Sequence, residues 1–382
     1  MEAKGVRSPR ILHAPVDIGG HASGLAAAQR SLGLDAVCVS LYPALHSDGR
    51  AIEPVPVGAG IMTRELARWA LFWRALRHYD IIHLYFGESL LMPRRHPDLR
   101  SGRALSPAEI LRRCYARAIW GKDLPVLKGL GKRLVFSFLG DDVRLRDFTA
   151  RTYDISIARY ADPTYYPPRS DCWKRRIIGL AERYAEVIFA YNPDLLNVLP
   201  AGSRLLPYSH LFPDKIAAEK RASNPGAIRI AHAPTHFSAK GTPFVLDAVA
   251  RLRERNVEFE FDLIQGVSHD EAMRRIGDAD LFIDQVLAGW YGGAAVEAMM
   301  LAVPVVAYIR PDDLRWVSAD MARDLPIILS TPDTLVVVLT EAIGKGKSWL
   351  SQQGQLGRAF ARKYHDPVRV AGQVSDALGI AA

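Results

Sequence analysis

The chain has 382 residues, too many for one ordinary hydrophobic core, and 49% of them are apolar, which excludes a disordered or fibrous chain and makes two domains the expectation. Lys and Arg number 49 against 41 Asp and Glu, a net charge of +8 that favours anionic partners such as nucleotides, phosphorylated lipids or a membrane face. No RNA-binding signature or zinc-finger spacing occurs, so no nucleic-acid partner is expected.

Cys38, Cys114 and Cys172 form neither a metal motif nor a disulfide framework, and MEAKGVRSPR does not read as a secretory leader. A cytoplasmic chain is therefore expected. The most apolar region is interrupted by Asp284, Glu297 and Arg310, with Pro304 inside it, and is too broken for a membrane span.

Taken in order, residues 10–16 (RILHAPV) read as a strand. The turn Asp17-Ile18-Gly19-Gly20 follows, then a helix over 22–32 and a strand over 35–42. A helix over 63–78 carries Trp69, Phe72, Trp73 and Leu76 at helical spacing, as core-packing aromatics do. Residues 80–86 and 133–138 read as strands, and Gly140-Asp141-Asp142 as a turn. The aromatic stretch 148–168 shows no periodicity and is given no element. A helix over 171–184 and strands over 186–192 and 203–206 complete the first half.

Residues 207–225, with three prolines and mixed charge, read as the interdomain connection. The chain then begins again: RIAHAP from Arg229 matches RILHAP from Arg10 at five of six positions. Both copies open an alternating strand–helix series, which points to two similar α/β domains with parallel sheets. The second series continues with a helix over 243–255, a strand over 259–265 and a short helix over 270–277. The apolar run 279–287 and the stretch GWYGGAAVEAMMLAVPVV from Gly289 follow. That stretch reads as glycine loop, helix over 294–301 and strand over 303–308. A strand over 326–329 and helices over 332–343, 348–364 and 367–378 close the chain.

A glycine loop opening a helix leaves backbone N–H groups for phosphate or another anion, here those of Gly292, Gly293 and Ala294. Glu297 is placed in the first turn. There it could accept hydrogen bonds from sugar hydroxyls, or simply complement the helix dipole.

Several segments together resemble the nucleotide-binding half of the family 4 glycosyltransferases. They are HAPTHFSAKGTPFVLDAV from His232, FDLIQGVSHDEAMRRIGDADLFIDQ from Phe261 and GWYGGAAVEAMMLAVPVVAY from Gly289. DIIHLYFGESLL from Asp80, LVFSFLGDDVR from Leu134 and YNPDLLNVLP from Tyr191 are similar to that family's first half. The resemblance implies an α/β glycosyltransferase B fold, two Rossmann-like doubly wound domains facing across a cleft. Residues 1–207 would bind the acceptor and 226–364 the nucleotide sugar, with 365–382 packing back on the first domain. It further implies a nucleoside-diphosphate sugar donor of UDP or GDP type, a glycan or glycolipid acceptor, retention at the anomeric carbon, and neither cofactor nor metal.

By the same resemblance Lys240 holds the donor diphosphate, Glu297 binds the ribose hydroxyls, and Gly19 and Gly20 form the first domain's glycine loop. Three family positions depart: a second glutamate is replaced by Gly289, an arginine is absent across 235–237, and a histidine is replaced by Leu139. His236, Asp284, His83 and Asp141 are the candidate substitutes, each with a structural reading beside it. Lys240, His236 and Asp284 are the catalytic candidates. Asp141-Asp142 resembles a metal–diphosphate pair, but Arg144 three positions on fits a locked turn. A sugar-nucleotide epimerase and a non-catalytic relative are the competing readings. The charge, with basic runs at 64–77, Arg94-Arg95 and 112–117, also predicts a peripheral place on an anionic membrane surface.

Overall fold

The computed structural model describes residues 8–42, 50–92, 106–162, 164–167, 170–212 and 226–381. Arg94, Arg95 and most of the 207–225 connection lie outside them. The elements run β1 (Arg10–Ala14), α1 (His21–Ser31), β2 (Asp35–Cys38), α2 (Ile61–His78), β3 (Ile81–Tyr85), α3 (Pro107–Ile119), α4 (Asp123–Gly129) and β4 (Arg133–Phe138). Next come α5 (Arg146–Thr152), α6 (Ile157–Tyr160), α7 (Ser170–Tyr184), β5 (Val187–Ala190) and β6 (Arg204–Leu205). The second half has β7 (Ile228–His232), α8 (Thr242–Glu254), β8 (Phe259–Leu263), α9 (His269–Gly277), β9 (Leu281–Ile283), α10 (Gly293–Met300) and β10 (Val305–Ala307). It ends with α11 (Ala319–Arg323), β11 (Ile328–Leu329), α12 (Leu335–Tyr364) and α13 (Pro367–Leu378).

The chain divides into two compact units. The first takes Met1–Arg144, Pro167–His210 and Pro367–Ala382, and the second takes Leu145–Tyr166 and Leu211–Asp366. Each has one parallel sheet. The first unit's sheet is ordered β2-β1-β3-β4-β5-β6, and the second's, read from its β8 edge, β8-β7-β9-β10-β11. The five strands of the second sheet follow the order of the first five of the first, β6 having no counterpart, and the repeated hexapeptide supplies the equivalent strands β1 and β7. Parallel strands covered by helices on both faces need apolar side chains throughout. IIHLY in β3 is buried at all five positions, and LFI in β9 at all three.

The repeat also equates two buried histidines. His13 Nε2 meets Gln29 of α1 at 2.6 Å and its Nδ1 meets Tyr85 of β3 at 2.8 Å. His232 Nε2 meets Thr242 of α8 at 2.9 Å and its Nδ1 donates to the Ile283 carbonyl of β9 at 2.8 Å. Each ring thus ties the first strand of its sheet to the following helix and to the neighbouring strand. Burial is the main cause that lowers both rings from the ordinary histidine value to about 4.

Some of the structure departs from the sequence expectation. Residues 145–166, taken as part of the first domain and given no element, form α5 and α6 and belong to the second unit. There Ile157 and Tyr166 enter the same core as Ile230, Val245 and Ile283. Helices α3 and α4 were not foreseen, although Ser106, Pro107 and Glu109 build a complete capping box at the start of α3. The helices expected over 332–343 and 348–364 are the two parts of α12, broken at Gly346, where φ is 77°. Helix α13 packs on α1, and Arg133 of β4 bonds the Leu378 carbonyl.

Candidate functional site

In the second unit, β7 and β9 end at adjacent points of the sheet, and the loops after them carry the polar groups. The loop after β7 is folded on itself: Lys240 N–H donates to the His236 carbonyl at 3.1 Å and Thr242 N–H to that of Phe237 at 3.1 Å. This presents Lys240 just ahead of α8. Asp284 follows β9 and its side chain is 2% exposed. Its Oδ1 lies 3.2 Å from Lys240 Nζ, and its Oδ2 accepts the Gly292 N–H at 2.5 Å. One buried carboxylate therefore fixes both the ammonium and the loop that opens α10. A Cβ at Gly292 would stand 2.9 Å from Lys240 Nζ and 3.4 Å from Asp284 Oδ2, so the position has little room for a side chain.

Lys240, Asp284 and Gly292 are thus brought together. The Gly293 and Ala294 amides follow, in the first turn, where a helix offers no internal acceptor. Because α10 begins at Gly293, Glu297 lies in its second turn, not the first as expected. Its Oε1 is 2.8 Å from Nε2 of His269, the first residue of α9, and its side chain is 12% exposed. His236 is exposed on the same loop as Lys240. It meets the edge of Tyr165 with ring centroids 4.4 Å apart, and Asp162 N–H donates to Ser238 at 3.1 Å. The 145–166 segment therefore lies directly on the Lys240 loop.

Gly289, at a position where a glutamate was expected, has φ 83°. The Arg310 guanidinium fills the space above it: an added Cβ would come within 2.4 Å of Nη1. Arg310 is 4% exposed, pairs with Asp313 at 2.6 Å, donates to the Ile155 carbonyl at 3.1 Å, and lies 3.7 Å from the centre of the Tyr153 ring. The sequence reading missed Arg310, Asp313, His269 and Tyr165. A cation two residues past a buried strand was the only available signal for Arg310, and the other three become neighbours only through folding.

The other candidates belong to the first unit. Gly19 and Gly20, with φ of 60° and 71°, make the turn into α1, and Asp17 Oδ1 accepts the Ala22 and Ser23 amides beyond them. His83, expected to face ligand, is turned inward and 1% exposed. Its Nε2 meets Ser137 at 2.8 Å and its Nδ1 meets Tyr85 at 3.3 Å, so the interior network accounts for both ring nitrogens. Asp141 pairs with Arg144 at 3.0 Å, and Arg144 also reaches Asp194 at 2.7 Å. Asp142 accepts the Leu139 and Gly140 amides, and burial raises its carboxyl to about 6. Both aspartates are thus held within a turn.

No protein-family model and no curated protein matches the sequence. Solved structures do. Sucrose-phosphate synthase from Thermosynechococcus elongatus superposes with a TM-score of 0.60 at 14% identity, over 98% of both chains. The Anabaena HepE protein in complex with UDP-glucose gives 0.55 at 14% identity, over 97% of this chain and 99% of that one. An alpha-glucosyltransferase in complex with UDP and a 13-mer DNA gives 0.54 at 12% identity, over 97% and 100%. The chain has the glycosyltransferase B fold. In glycosyltransferase B terms the two sheets described above are its two Rossmann-like domains, and the group around Lys240 stands at the carboxyl ends of the second domain's strands. Parallel α/β sheets bind their ligands at that edge.

Proposed function

We propose that the protein is a glycosyltransferase of the family 4 type, moving a sugar from a nucleoside-diphosphate donor to a glycan or glycolipid acceptor. The observation that carries this reading is the convergence of Lys240, Asp284 and the Gly292 amide at the start of α10. Sugar transfer breaks the bond between the anomeric carbon and the diphosphate oxygen, and the electron pair stays with the diphosphate. A fixed ammonium and a helix N-terminus receive that charge without rearrangement. Lys240 supplies the first, and the amides of Gly293 and Ala294 the second. Glu297, one turn further along α10, is the group for the ribose hydroxyls, and His236 is a second cation when protonated.

Retention at the anomeric carbon and independence of metal belong to this reading, as does a peripheral place on an anionic membrane. Two of the similar structures hold UDP or UDP-glucose, which makes uridine nucleotides the first to test. Calorimetry with UDP, GDP and ADP is the experiment, followed by donor turnover with and without EDTA. Binding of one nucleotide and activity that survives EDTA are expected. No binding by any of the three at millimolar concentration would overturn the proposal, and activity restored only by magnesium would overturn its metal-independent part.

A further inference from the structure

Helix α2 has two faces that both carry large apolar side chains. Leu71, Phe72 and Ala75, with the buried Arg68, form the inner one. Met62, Leu66 and Trp73 project from the other, and Met62 and Leu66 are 72% and 67% exposed. At 3.6 residues per turn these three fall within about 40° of one another, and roughly 150° from the centre of the inner face. A surface helix needs one such stripe, so the outer one is left over.

Helix α3 repeats the pattern beside it. Trp69 of α2 donates to Tyr115 of α3 at 2.7 Å, which sets the two helices side by side. Helix α3 has no buried residue at all. Ile110, Leu111 and Cys114 share its outer side, and Leu111 is 72% exposed. Val57, just ahead of α2, is 83% exposed.

The charge is one-sided. The two helices contain seven arginines and two glutamates. Glu65 accepts from Tyr115 and from the buried Arg68, and Glu109 closes the capping box with Ser106. Arg77 and Arg117 are exposed on the same sides of their helices as those apolar side chains. No helix of the described residues is long and apolar enough to cross a membrane. Apolar stripes bordered by arginine on helices of this kind suit the boundary between lipid headgroups and acyl chains, where the side chains enter and the arginines meet phosphate.

We propose that the outer face of α2 and α3 docks the first unit on an anionic phospholipid surface. This gives the peripheral place in the transferase reading a defined surface. Donor binding measured in solution without lipid tests that reading separately, so either can fail alone.

The test is flotation of the whole protein with phosphatidylcholine vesicles, with and without phosphatidylglycerol. The wild type should float only with the anionic vesicles, and less as salt rises. Met62→Glu with Leu66→Glu, Leu111→Glu, and Arg77→Glu with Arg117→Glu should each lower partitioning about tenfold or more. All change side chains outside the core, and Leu356→Glu, at an exposed position of α12, should change nothing. An environment-sensitive dye on Cys114, in a Cys172→Ser background, should shift to the blue on anionic vesicles, and a dye on Cys172 in a Cys114→Ser background should not. Absence of flotation, equal flotation with neutral vesicles, or equal loss in Leu356→Glu would overturn the proposal. So would a dimer in sedimentation that Leu66→Glu dissociates without any lipid binding, which would make the face a contact between copies.

Discussion

Asp284 has a double grip, on Lys240 and on Gly292, that separates two kinds of residue in the candidate site. Asp284 is enclosed and holds its neighbours; Lys240 keeps 16% of its side chain exposed and is the group a diphosphate can meet. Lys240→Ala is therefore expected to lower turnover by about 10²–10³, the scale of losing one oxyanion donor, and also to lower the melting temperature, because the buried Asp284 carboxylate loses its cation. Glu297→Ala should weaken nucleotide binding at least tenfold, since a charge-assisted bond contributes about 1.5–3 kcal/mol. Unchanged affinity with lost stability would make Glu297 only the anchor of His269. The paired interior histidines give a pH prediction. Both are held neutral, with folded values of about 4 against an ordinary value of 6.5, so the unfolded chain binds their protons first. Their contribution is complete above about pH 6.5 and is lost as pH falls towards 4, by about 2 kcal/mol each at pH 5. Urea melts at pH 7 and pH 5 should show this, and His13→Gln or His232→Gln should flatten the difference. The glycine loop before α10 was legible because it sits where a strand run stops and a helix pattern starts, whereas Lys240 and Asp284 became candidates only through the resemblance to family 4 glycosyltransferases. Arg310 and His269 were not legible, because a guanidinium over Gly289 and an imidazole beside Glu297 are facts of three dimensions. Helix α10 starts one residue earlier than expected, which moves Glu297 from the first turn into the second, because small residues leave that start unmarked.

Among the elements, the buried strands were the most legible, since a sheet covered on both faces demands continuous apolar runs and the sequence supplies them. Helix α3 shows the converse: its capping box is written in Ser106 and Glu109, but a helix that buries nothing has no inward stripe to read. Helices α5 and α6 are short, α6 packing on the second core and α5 on α6, so local propensity does not announce them. Among the described glycines, the tightest is Gly354, where α12 lies against the end of α10 and the residues just after it. A Cβ at Gly354 would stand 1.9 Å from the Ala302 carbonyl oxygen, and one at Gly357 would stand 3.2 Å from Met299. Neither backbone can yield locally, so Gly354→Ala should separate the helices. It should cost about 1–3 kcal/mol or more, the usual scale of overpacking, read as a lower urea midpoint. Because α10 carries the Gly293 and Ala294 amides, nucleotide affinity should fall in the same variant. Gly344→Ala, with nothing within 4 Å, is the control and should leave affinity unchanged and the urea midpoint unchanged or higher.

For the whole molecule, the match of strand order between the two sheets makes the repeated hexapeptide a structural repeat, which six residues alone could not establish. The chain path was less legible. The first unit is assembled from three stretches and the second from two, so the chain passes from one unit to the other four times, at 144/145, 166/167, 210/211 and 366/367. A single cut in the 207–225 connection therefore does not give two whole domains. A fragment of residues 211–366 lacks Ile157 and Tyr166 from its core, and a fragment of residues 1–210 lacks α13 against α1. Neither fragment is expected to unfold cooperatively. The fragment 211–366 should regain a sharp thermal transition when residues 145–166 are joined to it by a flexible linker. Thermal melts followed by circular dichroism decide this. A sharp transition in the bare fragment would show that the borrowed segment is dispensable.

That interleaving also bears on the order in which the protein can be made. Translation delivers residues 145–166 well before Ile228, the first strand residue of the sheet they pack on, and it delivers α13 after everything else in the first unit. The borrowed segment must wait on the ribosome without its core, and α1 stays uncovered until the last described helix emerges. Vectorial, domain-by-domain folding during synthesis is closed to this chain. Its two units mature together, late, through contacts distant in sequence, which are the slow ones to form. Slowing elongation in the first half should bring no gain in soluble yield, whereas a chaperone that shields α1 until α13 arrives should.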